Sequence, residues 1–383
     1  MLLWLVQGIV LIGLTTVPAF TQPDYTSKTA RIDSLMHAHI VTKGKQPVYS
    51  FLLYAKNAGT GFEIHRGTGT IGHLDRLIDA DYQYNVASIT KTLVATIILQ
   101  LQEEGRLNVE DKAGKYLDAL EFLRFGEIHE WHDTLLSGQI TIRHLLQHTS
   151  GLADIFTDAA TRFNISVLTH KKREYNTEMI IEKFYKYKLN KKPVNKPGEG
   201  YHYSDINYML LGFIIEQVTG KTLPQAIRER ILEKLKMEET YFEYYEQEQG
   251  NGKRIDAFLN RINMTQKINT SYEWGGGGLV STTKDMAIFI EGLFRQELFR
   301  EASTLASMID YTGTEKFGAT YGMGIFKYEL NGKTFFGHGG FYGSVLAFDP
   351  EDGITFSANI GQAIPPYDTG KLVKELMDII LSE

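Results

Sequence analysis

Segments rich in β-formers stand at both ends of this chain, with a long helical stretch between them, and that distribution constrains the fold more than any other feature. Near the start, PVYSFLLYAKNAGTGFEIHRGTG, beginning at Pro47, reads as two strands joined by a Gly-rich turn. From Tyr321 onward, YGMGIFKYEL, KTFFGHGG, GSVLAFDP and ITFSANI are short, β-rich, and separated by Asn331-Gly332 and Asp352-Gly353 turn signals. Between the two groups the period becomes helical: Leu93, Val94, Ile97, Ile98 and Leu101 make one stripe that ends at Gly105. One antiparallel sheet built from both chain ends, flanked by helices such as RIDSLMHAHI and residues 370–381, accommodates this order, with a large, mainly helical domain inserted into it. The expected class is α/β (α+β). Residues 23–84 and 276–383 form the sheet domain, residues 85–275 the helical one, and the cleft between them is the expected site.

With 383 residues, 43% of them hydrophobic, the chain can bury a large core. A formal charge of -6 and a pI near 6.0 give no global basic field, which argues against nucleic acid as a partner. No cysteine is present, so disulfides, thiolate catalysis, cysteine-ligated zinc and a cysteine-linked lipid anchor are excluded. Residues 1–22 read as a signal peptide or N-terminal anchor. They carry no charged side chain, are broken by Gln7, Gly8 and Gly13, reach Pro18, and end near small residues around Ala19. Export to a periplasmic or extracellular location is expected, with a membrane span only if this leader is retained. No later segment reads as membrane-spanning.

Two Ser-x-x-Lys patterns occur, at Ser88–Lys91 and Ser281–Lys284. The second precedes an amphipathic helix, with Thr282 and Asp285 at capping-box spacing, and needs no chemical reading. In NVASITKTLVATIILQ, Ser88 opens a helix and Lys91 follows about one turn later on the same face, so the two side chains can meet. A serine hydroxyl is a weak nucleophile until a neighbouring base takes its proton. A lysine held partly neutral by burial can be that base, and the helix start offers N–H groups to a developing oxyanion. On this motif alone, an N-cap serine and a solvated lysine are the favoured reading.

Further motifs decide between these readings: LLQHTSGL, KPGEGYHYSDINYMLLG, WGGGGLVSTTKDMA and FFGHGGFYGSVLAFDP. With them, the chain resembles the serine β-lactamase and penicillin-binding-protein superfamily over residues 28–380, in particular its class C-like branch of D,D-carboxypeptidases, D-aminopeptidases and esterases. The resemblance implies Ser88 as acylated nucleophile, Lys91 as its base and Tyr203 as the second acid/base group. It also implies an oxyanion hole from the N–H groups of Ser88 and Phe341, and an edge strand at His338-Gly339-Gly340 along which substrate lies.

Two substrate-binding positions depart from the lactamase pattern. Asp205 stands where Asn is usual, replacing an amide donor with an acceptor. His338 stands where a lysine is common, weakening a site for a substrate carboxylate. A class A-like registration from Ser204-Asp205 would put Asn207 one residue late.

The remaining signals are weaker. GTGTIG, residues 67–72, matches a dinucleotide fingerprint but follows a hairpin strand and lacks the following small-residue helix. His144 and His148 are four apart without the glutamate of a zinc protease, and IHEWHD, with His129, His132 and Asp133, reads as a surface loop; no metal is expected. KFYKYKLNKKPVNK reads as a solvated face, and EETYFEYYEQEQ as a connection or lid.

The sequence thus points to an exported serine hydrolase with an acyl-enzyme intermediate, needing no cofactor. Its expected substrates are esters, D-amino-acid-containing peptides or peptidoglycan-like molecules. The alternatives are a β-lactamase-like or penicillin-binding carboxypeptidase and a catalytically weak binding or sensory homologue.

Overall fold

The structure, a computed structural model, describes residues 25–382, so the leader lies outside the described residues. Six strands form one antiparallel sheet: β1 (Ser50–Asn57), β2 (Phe62–Gly69), β3 (Phe326–Leu330), β4 (Lys333–Gly340), β5 (Ser344–Asp349) and β6 (Ile354–Asn359). Their order is β3-β4-β5-β6-β1-β2, so the two chain ends meet where β1 pairs with β6, Leu52 opposite Asn359 and Asn57 opposite Ile354. The turns are those the sequence signals. Asn331 and Gly332 both take positive φ, 54° and 74°, as a two-residue hairpin between Leu330 and Lys333 requires.

Both faces of the sheet are covered, which explains the unbroken apolar run of β1. Leu53, Phe51 and Phe356 pack beneath helices α1 (Thr26–Ala38) and α5 (Thr369–Leu381), with Ile32, Met36, Leu376 and Ile380. Leu52 points the other way, as the two-residue period of a strand demands. It joins the larger core, which holds helices α2 (Thr90–Glu103), α3 (Asp205–Thr219) and α4 (Thr283–Phe294). That core is continuous across the sequence-drawn boundaries: Leu346 of β5, Tyr84 and Leu210 of α3 belong to one cluster.

The middle of the chain also holds strands too short for a period to show. Tyr84–Asn85, Leu279–Ser281 and Tyr241–Phe242 form a three-stranded ladder beside the helices. Part of the acidic EETYFEYYEQEQ segment is therefore a built wall. Glu243 binds Arg254 at 2.7 Å and Glu246 binds Arg228 at 2.6 Å, so its charges are used within the fold. The glycines of GTGTIG serve packing. A Cβ on Gly67 would lie 2.1 Å from the Asp79 carbonyl oxygen, and one on Gly69 2.0 Å from that of Tyr49.

Phe356, at 0% exposure in the sheet centre, should be costly to truncate. Phe356→Ala is expected to lower stability by about 3–5 kcal/mol in urea unfolding. Leu77→Ala, at an 80% exposed position, should change it by no more than ~0.5 kcal/mol.

Candidate active site

The short strand Tyr84–Asn85 leads through a 3-10 turn, Ala87–Ile89, into α2. Within residues 82–101 every residue is buried except Ser88, so the fold presents this one residue to solvent out of an otherwise enclosed segment. Ala87 holds φ 50°, a left-handed conformation that costs a non-glycine residue about 1–2 kcal/mol. Backbone strain of this kind beside a reactive group is retained only where its surroundings enforce it.

Lys91 is wholly buried and its Nζ meets three acceptors. These are Ser88 Oγ at 3.1 Å, Asp205 Oδ1 at 2.5 Å and the Gly276 carbonyl oxygen at 2.6 Å. Three acceptors match the three N–H donors of an ammonium group. Asp205 therefore does something the sequence reading did not assign to it, because one of its oxygens is the counter-ion of Lys91. Its backbone N–H donates to Asp154 Oδ1 at 2.9 Å, while Oδ2 takes no hydrogen bond and is not enclosed. Gly276 is obligatory here, since a Cβ would stand 2.7 Å from Asp205 Oδ1.

Tyr203 lies against this pair, its ring centroid 5.0 Å from Lys91 Nζ. Its hydroxyl is buried beside Ser88 without a closed hydrogen bond. Burial first, and then the charge of Asp205, push the phenol well above its ordinary range, so it keeps its proton near neutral pH. The ring stacks on His148 at 4.1 Å and 28°. His148 Nδ1 accepts from the Ser204 N–H and from Asn207 Nδ2, both at 3.1 Å, which places its proton on Nε2. Burial, then the Lys91 charge, hold this imidazole neutral. These bonds also use Ser204 and Asn207 structurally, since Ser204 Oγ donates to Ala153 O at 3.1 Å and Ser150 Oγ donates to Asn207 Oδ1 at 2.6 Å. A class A-like registration has no support in this arrangement.

His338 is turned inward rather than toward a ligand. It is 2% exposed, its Nδ1 is 2.7 Å from Gly339 O, and its Nε2 is 3.2 Å from the Tyr321 hydroxyl. Burial, reinforced by Lys91, pushes its pKa down to about 3, so it brings no positive charge to the cleft at neutral pH. Its neighbours on β4 are placed differently. A Cβ on Gly340 would fall 2.2 Å from Val86 O, so the strand presses on the backbone just before Ser88. Around Gly339 the nearest such contact is 3.8 Å, which leaves space above the strand. Phe341 follows at the strand's end, 53% exposed.

Sequence reasoning missed Asp154, Tyr321 and Glu273. Asp154 lies in GLADIF and accepts from Asp205 N, Phe156 N, Thr157 N and Thr157 Oγ1; burial and the Asp205 charge push its pKa up to about 7. A lone acid inside an apolar stretch was the available signal. The other sequence signals resolve structurally. Ser281 Oγ lies 2.7 Å from the Thr240 hydroxyl, and Thr282 caps α4 by accepting from Asp285 N at 3.1 Å. His129 bonds Asn195 O at 2.8 Å, while His132 and Asp133, both at positive φ, form the turn between Glu130–Trp131 and Thr134–Leu135. No group of side chains suited to a metal occurs among the described residues.

A family model described as Beta-lactamase matches residues 35–366, and the chain belongs to that family. Among curated relatives, Protein flp of Staphylococcus aureus (strain MW2) is 32% identical over 216 residues, 55% of this chain but 38% of the relative. The chain thus spans well under half the length of that relative. A "Putative D-alanyl-D-alanine carboxypeptidase" of Escherichia coli (strain K12) is 28% identical over 316 residues, 71% of this chain and 67% of the relative. Among solved structures, a D-stereospecific amidohydrolase from Streptomyces sp. superposes with TM-score 0.72 at 24% identity, covering 89% of this chain and 97% of its own. The D-amino acid amidase from Ochrobactrum anthropi SV3 does so with TM-score 0.74 at 19% identity, covering 93% and 99%. The fold is that of these proteins, and the family is consistent with a serine acyl-enzyme hydrolase. No described helix is long and apolar enough to cross a membrane.

Brief exposure to a fluorophosphonate should add one adduct per chain, mapped to Ser88 by peptide mass spectrometry. Ser88→Ala should abolish it. Ser281→Ala should label as fast as the parent, within about twofold, because its hydroxyl is committed to Thr240.

Proposed function

We propose that the chain is a serine hydrolase in which Ser88 is acylated, acting on esters and amides of amino acids and short peptides. The observation that carries this reading is the single accessible serine held 3.1 Å from an enclosed lysine. The Lys91 ammonium first passes one proton to Asp205 Oδ1, 2.5 Å away, and as the free amine takes the Ser88 proton while Oγ bonds the substrate carbonyl carbon; the Ser88 and Phe341 N–H groups receive the oxyanion. Tyr203 then gives its proton to the departing alcohol or amine and recovers one from Lys91. Water attacks the ester so formed by the same route in reverse, releasing the acid and restoring Ser88. The close approach of Gly340 to Val86 supports Phe341 as the second oxyanion donor, since it sets the end of β4 against the nucleophile turn.

The charges around Ser88 bear on substrate class. His338 is neutral, and Lys91 is occupied on all three donors, so neither offers a cation to a terminal carboxylate. Asp205, in contrast, keeps Oδ2 open, and a carboxylate oxygen there favours a substrate carrying an ammonium group. The fold neighbours, one named a D-stereospecific amidohydrolase and another a D-amino acid amidase, support an amino-acid derivative of D configuration. Export directed by residues 1–22 belongs to the same proposal.

The test is a comparison of kcat/KM for D-phenylalanine p-nitroanilide, its N-acetyl form, and a dipeptide with a free terminal carboxylate. The free-amine substrate should be preferred by about tenfold, ~1.4 kcal/mol. In Asp205→Asn that preference should vanish when each rate is divided by the variant's own rate on p-nitrophenyl acetate. Preference for the carboxylate-bearing peptide would replace this reading with a carboxypeptidase. Acylation of Ser88 without turnover would replace it with a binding or sensory protein.

A further inference from the structure

The Phe341 amide is useful to an oxyanion only if it stays fixed, yet Phe341 is itself 53% exposed. What holds it lies on either side. Gly340 is pressed against Val86 O. Tyr342 is 1% exposed; its hydroxyl donates to Glu273 Oε1 at 2.6 Å, and its carbonyl accepts from Asn359 Nδ2 at 3.2 Å. Asn359 Nδ2 also reaches Ser344 Oγ at 2.9 Å, and Ser344 Oγ donates to Asn85 O at 3.0 Å, three residues before the nucleophile.

Glu273 opens the glycine turn that supports the base. The next residue, Trp274, holds φ 26°, and three residues on Gly276 gives its carbonyl to Lys91. A Cβ on Gly277 would lie 3.1 Å from Glu273 Oε2 and 3.5 Å from the Ala87 carbonyl carbon, so the carboxyl, the turn and the nucleophile backbone are in mutual contact.

We propose that Glu273 is a positioning residue for the oxyanion hole: through Tyr342 it fixes the Phe341 amide, and through its own turn it ties that amide to the carbonyl that orients Lys91. The inference rests on the serine-hydrolase reading above.

The electrostatics suit the role. A carboxylate hydrogen-bonded to Tyr342, the residue after the Phe341 amide, would oppose a developing oxyanion. Burial, with the charges of Glu243 and Asp205 adding to it, pushes the Glu273 pKa up to about 8, while the Tyr342 hydrogen bond and Lys91 act the other way. Tyr272, the preceding residue, is itself held neutral chiefly by burial. Glu243 is compensated by Arg254 at 2.7 Å and by Asn85 Nδ2 at 2.9 Å. Near neutral pH Glu273 is therefore a neutral hydrogen-bond acceptor. Above about pH 8 it becomes a charge beside the oxyanion.

Steady-state kinetics on p-nitrophenyl acetate and inhibition by phenylboronic acid, whose tetrahedral serine adduct places an oxygen in the oxyanion hole, test this. Tyr342→Phe should lower kcat about 10- to 100-fold, short of the ~10²–10³ for outright loss of an oxyanion donor. KM should change by less than about threefold, and boronate affinity should weaken in parallel with kcat. Glu273→Gln, which keeps the acceptor, should stay within about threefold of the parent at pH 7 and lose the fall in kcat that the parent shows through pH 8. The inference is overturned if Tyr342→Phe keeps parental kcat and boronate affinity, or if Glu273→Gln keeps the alkaline fall. Absence of Ser88 acylation in the parent overturns both this inference and the reading it rests on, whereas normal Ser88 turnover with an indifferent Tyr342→Phe overturns this one alone.

Discussion

The enclosed ammonium of Lys91 is the interaction on which the rest of the site depends. A buried charge is tolerated only when paired and fully hydrogen-bonded, and removing one partner of such a pair costs about 3–5 kcal/mol. The three acceptors come from three separate parts of the chain: the nucleophile turn, the first residue of α3, and the glycine turn after Glu273. Satisfying one side chain therefore fixes the mutual placement of three backbone segments. The same geometry that stabilises the lysine sets it at reacting distance from Ser88.

Close backbone approach is the second constraint, and it explains why glycine occurs where it does. Gly276 makes room for the Asp205 carboxylate, and Gly340 makes room for the carbonyl of Val86. Any side chain at either position would push Asp205 with Lys91, or β4, away from Ser88. The positive φ of Ala87 is the complementary cost, a strained residue that turns the next one out of a buried segment. Packing from α2 below and β4 above supplies the force that holds it.

Much of this was legible in the sequence because it is written locally. Hairpin turns need particular residues, so Asn331-Gly332 marked its strands. A serine and lysine one turn apart, taken together with the further motifs of the family resemblance, pointed to Ser88 and Lys91, and the distribution of β-rich segments showed that the chain ends share a sheet. What stayed hidden depends on long-range placement. The ion pair of Asp205 with Lys91 was not visible because the two lie 114 residues apart. His338 looked like a cleft residue, since nothing near it in sequence reveals that Tyr321 and a backbone carbonyl take up its two nitrogens. The two-residue strands around Tyr84 and Tyr241 lack the length for alternation to show, and Glu273 gains its meaning only from Tyr342, 69 residues away in sequence.

The titratable groups around Ser88 share one tendency. His148 and His338 are pushed down and Tyr203 up, all three toward the uncharged form. Glu273 is pushed up to about 8, toward the neutral acid near pH 7. Charge is thereby concentrated in one contact, Lys91 with Asp205. In the proposed mechanism a proton leaving Ser88 has a defined destination, and the oxyanion is received by neutral N–H dipoles rather than mobile ions. Such an arrangement costs little reorganisation at the moment of reaction. On the proposed function, discrimination among substrates then rests on the groups that remain open, chiefly the second oxygen of Asp205 and the unobstructed strand at Gly339.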